Sequence, residues 1–173
     1  MKMKKNKINI TVSALFAAMI CVISQLSFLT PAGVPLTFQV FAVALCGYVL
    51  GGKWAAASVL TYILAGAVGL PVFSGFKGGT HMLFSPTGGF LWGFIFLSIL
   101  CGLRLKKGGK WLPIIFGICG VLVCHLFGTV QYALTADINL WAAFISASLP
   151  FLLKDIVLTL LAFVISKRIK KGL

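Results

Sequence analysis

Two apolar segments of this chain are joined within the stretch YILAGAVGLPVFSGFKGGTHMLFSPTGGFLWGF, from Tyr62 to Phe94. The loop between them is rich in glycine, proline and polar residues. An irregular backbone leaves N–H and C=O groups unpaired, and hydrocarbon offers them no partner. Such a loop therefore has to lie against protein, in water or over a cavity. It is the first place where a bound ligand is expected.

The composition around this stretch is that of an integral membrane protein. Of the 173 residues, 60% are hydrophobic and only 10% are charged, and the mean hydropathy is +1.09. Soluble domains are about half apolar. Apolar runs near the ~20 residues that cross a bilayer recur along nearly the whole chain, which leaves no room for a separate soluble domain. Residues 1–173 are predicted to form a single all-α domain, a compact bundle of membrane helices.

Turn signals and charged clusters divide the chain into about six apolar segments. The first ends at a predicted turn from Thr30 to Gly33, and the stretch from Thr135 to Pro150 predicts a short lid or half-helix at the interface. The second and third segments are short for full spans, and short helices beneath structured loops leave a hollow open to the outside. The predicted spans are Ile10–Leu29, Leu36–Leu50, Trp54–Leu70, Thr87–Leu103, Leu112–Leu134 and Phe151–Ser166.

The positive charges support this count of crossings. With six crossings, the basic residues at both termini, at Lys53 and from Arg104 to Lys110 fall on one side of the membrane. The other side receives Lys77, Lys154 and the two acidic residues. This asymmetry follows the positive-inside rule and predicts that both termini are cytoplasmic. The net charge of +13 is thus a topology signal, and no nucleic-acid partner is expected because no aromatic-basic platform accompanies it.

The sequence also lacks the motifs of common catalytic and metal sites. It contains no Walker A loop, no G-x-S-x-G and no H-E-x-x-H. The five cysteines have neither CxxC nor Cys/His metal spacing and are interpreted as packing residues. A membrane enzyme would have to build its catalytic set from two carboxylates and two histidines. No enzymatic activity, metal or cofactor is expected, and the first segment is too long for a cleavable signal peptide.

Asp155 is the strongest single indication of a site. It lies about a turn and a half into the sixth segment, after Pro150 at the predicted helix start, where the helix dipole favours an ionised carboxylate. A carboxylate facing lipid is costly, so Asp155 is expected to face the bundle interior and a ligand. The alternative is a structural pair with Lys154 or another helix end. Because adjacent side chains point about 100° apart on a helix, Lys154 is expected to snorkel outward.

Further polar residues lie within the predicted helices. Gln39 is one turn into the second segment and can both donate and accept hydrogen bonds. Its alternative role is an interhelical bond that only holds helices together. His125 and Gln131 are six residues apart on different helix faces and are assigned to interior hydrogen bonding. Residues assigned on position alone to packing or to the interface belt are Tyr62, Trp92 and Tyr132.

The loop offers aromatic and cationic groups to a ligand. Phe73, Phe76 and Phe84 are candidates for stacking on a flat apolar molecule. Lys77 and His81 are the cationic or titratable groups of the loop, and either would suit a ligand carboxylate. The alternative for both is an ordinary solvated loop charge.

The first segment carries a strip of small residues. Ala14 and Ala18 are four residues apart, with Ser13 and Ala17 nearby. Small faces let membrane helices approach closely, so the strip is a candidate docking surface for another membrane protein. The alternative is packing within its own bundle, which the same spacing also serves.

Several strings of this sequence match a known family. In chain order they are PLTFQ from Pro35 to Gln39, the region from Gly47 to Gly52, YILAGAVGLPVF from Tyr62 to Phe73, KGG from Lys77 to Gly79 and SPTGGFLWGF from Ser85 to Phe94. A P-F-x-x-x-D pattern follows at Pro150, Phe151 and Asp155, and Ala14 with Ala18 matches a small-residue A-x-x-x-A pattern. On these motifs the chain resembles the BioY family, the biotin-specific substrate-binding (S) components of energy-coupling factor (ECF) transporters.

That resemblance implies a six-helix protein of the bacterial plasma membrane, embedded in the lipid bilayer, that captures biotin from outside. The partners that it implies are a transmembrane coupling protein, docked on Ala14 and Ala18, and two ATP-binding subunits. An S component of this family is thought to topple within the membrane to carry its ligand inward. The ligand-binding residues that the resemblance implies are Gln39, Tyr62, Phe73, Ser74, Lys77, Phe84 and Asp155.

One position departs from the family. Leu158 stands where the family usually has a lysine, one turn after the aspartate. The ureido ring of biotin offers two N–H donors and a carbonyl acceptor, so a carboxylate suits the donors and a nearby cation suits the carbonyl. With Lys154 expected to point elsewhere, the sequence does not supply that cation. An S component for a different small ligand is therefore the alternative.

Overall fold

The computed structural model describes the backbone of residues 2–29, 34–104, 109 and 111–172, and the side chains of 10–28, 34–104, 109 and 111–170. Within these residues the chain forms seven α helices, one 3₁₀ helix and a small antiparallel hairpin. In chain order the elements are α1 Lys2–Ser24, β1 Ser27–Leu29, β2 Pro35–Thr37, α2 Gln39–Leu50, α3 Gly52–Ala67, the 3₁₀ helix Thr80–Phe84, α4 Gly88–Cys101, α5 Leu112–Ala136, α6 Leu140–Ala147 and α7 Leu149–Gly172.

Some predicted features lie outside this description. The turn from Thr30 to Gly33 falls in an undescribed stretch, as do Lys106, Lys107 and Lys110 of the basic loop. The side chains of the terminal lysines at 2, 4, 5, 7 and 171 are likewise not described. The charge asymmetry that they contribute to therefore remains a prediction from the sequence.

The hairpin corrects the all-α prediction. The predicted first span ran to Leu29, but α1 ends at Ser24 and the next residues form β1, which pairs with β2 in the register Ser27 with Thr37 and Leu29 with Pro35. Strands of three residues are too short to show an alternating pattern of apolar and polar residues. In the sequence, their apolar residues therefore cannot be distinguished from the end of an apolar helix. The hairpin brings β2 next to the start of α2.

The last two helices also differ in extent from the prediction. The predicted half-helix is α6, whose start is capped by Asn139 Oδ1 accepting a hydrogen bond from the Ala142 N–H at 2.7 Å. Helix α7 begins at Leu149, with Pro150 in its first turn, and continues through the basic tail to Gly172. The tail extends the helix because lysine and arginine are good helix formers.

Helix α2 is the centre of the bundle. It packs against α1, α3, α4 and α7, and most of its side chains are buried. The most extensive helix pair is α4 with α5, where glycines allow a close approach. A Cβ atom at Gly93 would lie 2.7 Å from Cys124 Cα, and one at Gly89 would lie 2.2 Å from the Phe127 carbonyl oxygen. Small residues at such crossings replace side-chain contact by backbone contact.

Two of the described helices, α5 and α7, are long and apolar enough to cross a membrane, each with a mean hydropathy of 2.1 over its best window. Shorter apolar helices lie at Ile10–Ser24, Gln39–Leu50 and Gly88–Cys101. Large apolar side chains point outward from the long helices, with Leu126 61% exposed and Leu153 74% exposed. Such faces suit a hydrocarbon surrounding.

Candidate ligand-binding site

A cavity of about 320 Å³ opens at the end of the bundle where α2 and α7 begin. Its walls come from α2, α3, α4, α5 and α7, and the hairpin and the glycine-rich loop complete it. The volume falls in the range of small-molecule sites. Six of the seven ligand-binding residues expected from the sequence line it: Gln39, Tyr62, Phe73, Ser74, Lys77 and Asp155.

The structure does not bring Phe84 to this cavity. The 3₁₀ helix turns Leu83 inward, where it is 8% exposed, and leaves Phe84 73% exposed. Phe76 is similarly turned outward at 72% exposure, and His81 is exposed as well. The loop sequence contains several aromatic residues, and only the fold selects Phe73 among them to face inward.

Asp155 is the most buried charge of the cavity, with 5% exposure. Its Oδ2 lies 3.1 Å from His125 Nε2 on α5. Among the described residues, Asp155 Oδ1 and His125 Nδ1 have no hydrogen-bond partner. For His125 Nδ1, a buried polar atom, the lack of a partner costs about 1–3 kcal/mol, which a polar ligand would recover.

Lys154 contradicts the expectation that it points away from the site. Its Nζ donates to the Thr37 carbonyl at 2.6 Å and lies 2.8 Å from Asp155 Oδ1, and the side chain lines the cavity. The contact with Oδ1 is an ion pair that falls outside hydrogen-bond geometry. The flexible four-carbon stem lets the ammonium swing back across the helix surface, which the direction of Cβ alone does not reveal.

Gln39 and Tyr62 form the second polar pair of the cavity. Gln39 Nε2 donates to the Tyr62 hydroxyl at 2.7 Å, and both side chains are buried. Tyr62 also packs edge-on against the Phe73 ring at a centroid distance of 5.5 Å. Gln39 thus makes the interhelical bond expected as its alternative role and lines the cavity as well.

His125 and Gln131 make interior hydrogen bonds as predicted, with different consequences. Gln131 Nε2 donates to the carbonyls of Leu83 at 2.8 Å and Ser85 at 2.7 Å, which fixes the end of the loop. His125 lines the cavity and packs edge-on against Phe90 at 5.6 Å. No pattern in the sequence indicated this role, because His125 and Asp155 are 30 residues apart on different helices.

The loop over the cavity is held by Gln25, the residue that follows α1. Phe73 and Lys77 exchange backbone hydrogen bonds of 2.9 and 3.2 Å. Gln25 Nε2 donates to the carbonyls of Val72 at 3.1 Å and Phe73 at 3.2 Å, and its Oε1 accepts from the Phe76 N–H at 2.9 Å. The tight turn requires positive φ at Gly75 and Phe76. Gln25 was not singled out in the sequence, since it lay inside a predicted membrane span.

The docking strip predicted on α1 divides between two faces. Ala14 and Ala18 are exposed on the outside of the bundle, next to Leu15 at 68% exposure. Ser13 and Ala17 are buried, and Ser13 Oγ donates to the Trp54 carbonyl at 2.8 Å. Packing within the bundle therefore uses Ser13 and Ala17, and leaves the other two alanines free of it.

Comparison with known proteins matches the whole chain to one family. The BioY family model covers residues 1–173. A probable biotin transporter BioY of Pyrococcus horikoshii is 38% identical over 161 residues, which cover 93% of this chain and 95% of the relative. The biotin transporter BioY of Thermotoga maritima is 39% identical over 163 residues, which cover 92% of this chain and 94% of the relative.

The fold agrees with these sequence relatives. A crystal structure of the S-component for biotin from an ECF-type ABC transporter superposes with a TM-score of 0.88 at 27% identity, covering 97% of this chain and 93% of that one. Since the relatives are named as transporters and two helices are long enough to cross a bilayer, this is a membrane protein with a role in transport. The chain belongs to the BioY family.

Proposed function

We propose that this chain is the biotin-capturing S component of an ECF-type vitamin importer. The observation that carries the proposal is the buried carboxylate of Asp155, which lines a cavity of ligand size together with Lys154, His125 and Gln39. The names of the curated relatives and of the similar crystal structure supply biotin as the ligand. The role proposed for the chain itself is binding and transport.

The polar groups of the cavity complement the ureido ring of biotin. Asp155 Oδ1 accepts from a ring N–H, and the Lys154 ammonium beside it donates to the ring carbonyl. Lys154 lies close enough to Asp155 for both contacts to reach one small ring, at 2.8 Å between Nζ and Oδ1. It thereby supplies the cation that Leu158 does not. The Gln39–Tyr62 pair adds further hydrogen-bonding capacity at the same wall.

The apolar and loop residues suit the rest of the molecule. Phe73, Phe90 and Phe151 line the cavity and offer apolar surface to the fused rings and the aliphatic chain. Lys77 on the loop lines it as well and would pair with the ligand carboxylate, with Ser74 beside it. The hydrogen bonds of the Gln25 side chain hold this loop in place, which lowers the entropic cost of closing the loop over a ligand.

The proposed topology has six crossings, by α1, α2, α3, α4, α5 and α7. Helix α6 is only eight residues long and lies at the outer interface. Six crossings place both termini in the cytoplasm and the cavity at the outer face of the bacterial plasma membrane, in accord with the distribution of basic residues.

The proposed partners are a transmembrane coupling protein and two ATP-binding subunits. The exposed pair Ala14 and Ala18 on α1 offers a small-residue face on which a coupling helix packs closely. ATP hydrolysis belongs to the separate subunits, since this chain has no nucleotide-binding motif.

The ligand is tested by titration of the purified protein in detergent with biotin and a panel of other vitamins. We expect sub-micromolar binding of biotin and at least about a hundredfold preference over the rest, since a site that pairs buried polar groups rejects ligands that cannot pair them. Tight binding of another vitamin, with biotin above micromolar, would assign the chain to the alternative, an S component for a different ligand.

Asp155→Asn is expected to weaken biotin binding about 10- to 100-fold, because a hydrogen bond to a charged group contributes roughly 1.5–3 kcal/mol. Isothermal titration measures the affinity, and thermal unfolding checks that the variant stays folded. The matched control is Asp137→Asn, which changes the only other acidic residue, an exposed one outside the cavity. Equal losses of binding and of stability would show that Asp155 is only structural.

Lys154→Met is expected to weaken biotin binding about tenfold and to reduce the preference for biotin over 2-iminobiotin, whose imino group replaces the carbonyl oxygen. The loss of preference follows because the variant no longer donates to that oxygen. Lys53→Met, at an exposed lysine outside the cavity, is the control. An unchanged preference would mean that Lys154 only neutralises Asp155.

Ala14→Leu and Ala18→Leu are expected to leave biotin binding intact and to abolish most uptake in cells that also make the coupling module. A larger side chain on this face keeps the partner helix away. Ala136→Leu is the control, at an exposed alanine on α5. Normal uptake by both α1 variants would remove the docking role.

A further inference from the structure

A second cavity, of about 300 Å³, lies at the opposite end of the described bundle. It is bounded by the end of α2, the end of α4, the start of α5 and the last turns of α7. Along α7, Lys170 is 15 residues beyond Asp155, which corresponds to about 22 Å of helix. The two cavities are therefore separate sites.

Three cations line this second cavity: Arg104, Lys167 and Lys170. The chain's only two acidic residues are Asp155, in the ligand cavity, and Asp137, at the far end of α5. No acidic side chain of this protein is thus available to neutralise the three cations. Like charges around one cavity repel each other unless an anion lies between them.

Two of these cations are held by their surroundings. Arg104 Nη2 donates to the Val49 carbonyl at 3.0 Å, at the carbonyl end of α2. Lys167 Nζ lies over the Phe163 ring, 4.3 Å from its centroid. Arg104 has five N–H donors and Lys167 has three, so each keeps several that are not needed for these contacts.

The floor of the cavity offers an anion little competition for these donors. Its polar groups are buried and paired inside the protein: the Tyr48 hydroxyl donates to the Pro113 carbonyl at 3.2 Å, and Ser166 Oγ donates to the Phe163 carbonyl at 2.7 Å. The start of α5, which bounds the cavity at Pro113, also carries exposed apolar side chains, with Trp111 75% exposed and Ile115 51% exposed. Tryptophan is typical of the membrane–water interface.

We propose that this basic cavity binds the phosphate group of an anionic membrane phospholipid. The three cations would surround the phosphate oxygens, and the acyl chains would follow the apolar surface beside Trp111. Basic pockets between membrane helices at the cytoplasmic face suit lipid headgroups in this way. The proposal uses no residue of the ligand cavity, so it stands or falls independently of biotin binding.

The test is native mass spectrometry of the detergent-purified chain with added phosphatidylglycerol or phosphatidylcholine. We expect retention of phosphatidylglycerol, and a loss of about fivefold in its affinity for each of Arg104→Gln, Lys167→Gln and Lys170→Gln, because each cation contributes about 1 kcal/mol. The controls are Lys53→Gln and Arg168→Gln, two exposed cations that do not line the cavity. These should change the affinity by less than about twofold.

Thermal unfolding and biotin titration of each variant confirm that it is folded, and Lys170→Gln serves as the mildest change, since its side chain lies at the exposed end of α7. Equal retention of the two lipids, or equal losses in controls and cavity variants, would overturn the proposal.

A parallel experiment compares the binding of sodium phosphate with that of sodium chloride at matched ionic strength. Phosphate binding that needs the same three cations, without lipid retention, would overturn the lipid source and assign the site to free phosphate.

Discussion

A carboxylate in the interior of an apolar helical bundle imposes the main constraint on this structure. An unpaired charge there is costly, so Asp155 has to be surrounded by groups that compensate it. His125 comes from α5, and Lys154 bridges from α7 to the Thr37 carbonyl on β2. One acidic side chain thereby ties together two long helices and the hairpin. Asp155, His125 and Lys154 also line the cavity, so the interaction that organises this end of the bundle is part of the candidate binding site.

The cover of the cavity follows from the need to pair irregular backbone. The glycine-rich loop can lie at the end of a membrane bundle only if its N–H and C=O groups find partners. Gln25 meets three of them with one side chain, and Gln131 meets two more from α5. The residue that follows α1 thus holds the cover, and α1 presents Ala14 and Ala18 to the outside a few turns earlier. The loop is thereby held by hydrogen bonds from the protein itself.

The two ends of the bundle are electrically different. One end has the acidic residues and a cavity in which a carboxylate and two lysines face each other. The other has a cavity lined by three cations with no acidic side chain to balance them. The first arrangement suits a hydrogen-bonding organic molecule, and the second suits an anion. This separation of charge agrees with the uneven distribution of basic residues along the sequence, which is typical of membrane topology signals.

The sequence by itself determined the membrane class, the approximate positions of the helices and the glycine-rich loop, and it predicted Asp155 and Gln39 as ligand-binding residues. These follow from local composition and from the cost of polar groups in lipid, which act on each segment separately. Only the tertiary structure decided that Lys154 turns inward, that His125 meets Asp155, that Phe73 rather than Phe84 faces the cavity, and that a hairpin follows α1. Each of these depends on how residues distant in sequence are brought together, and side-chain direction on one helix does not reveal what a neighbouring element offers.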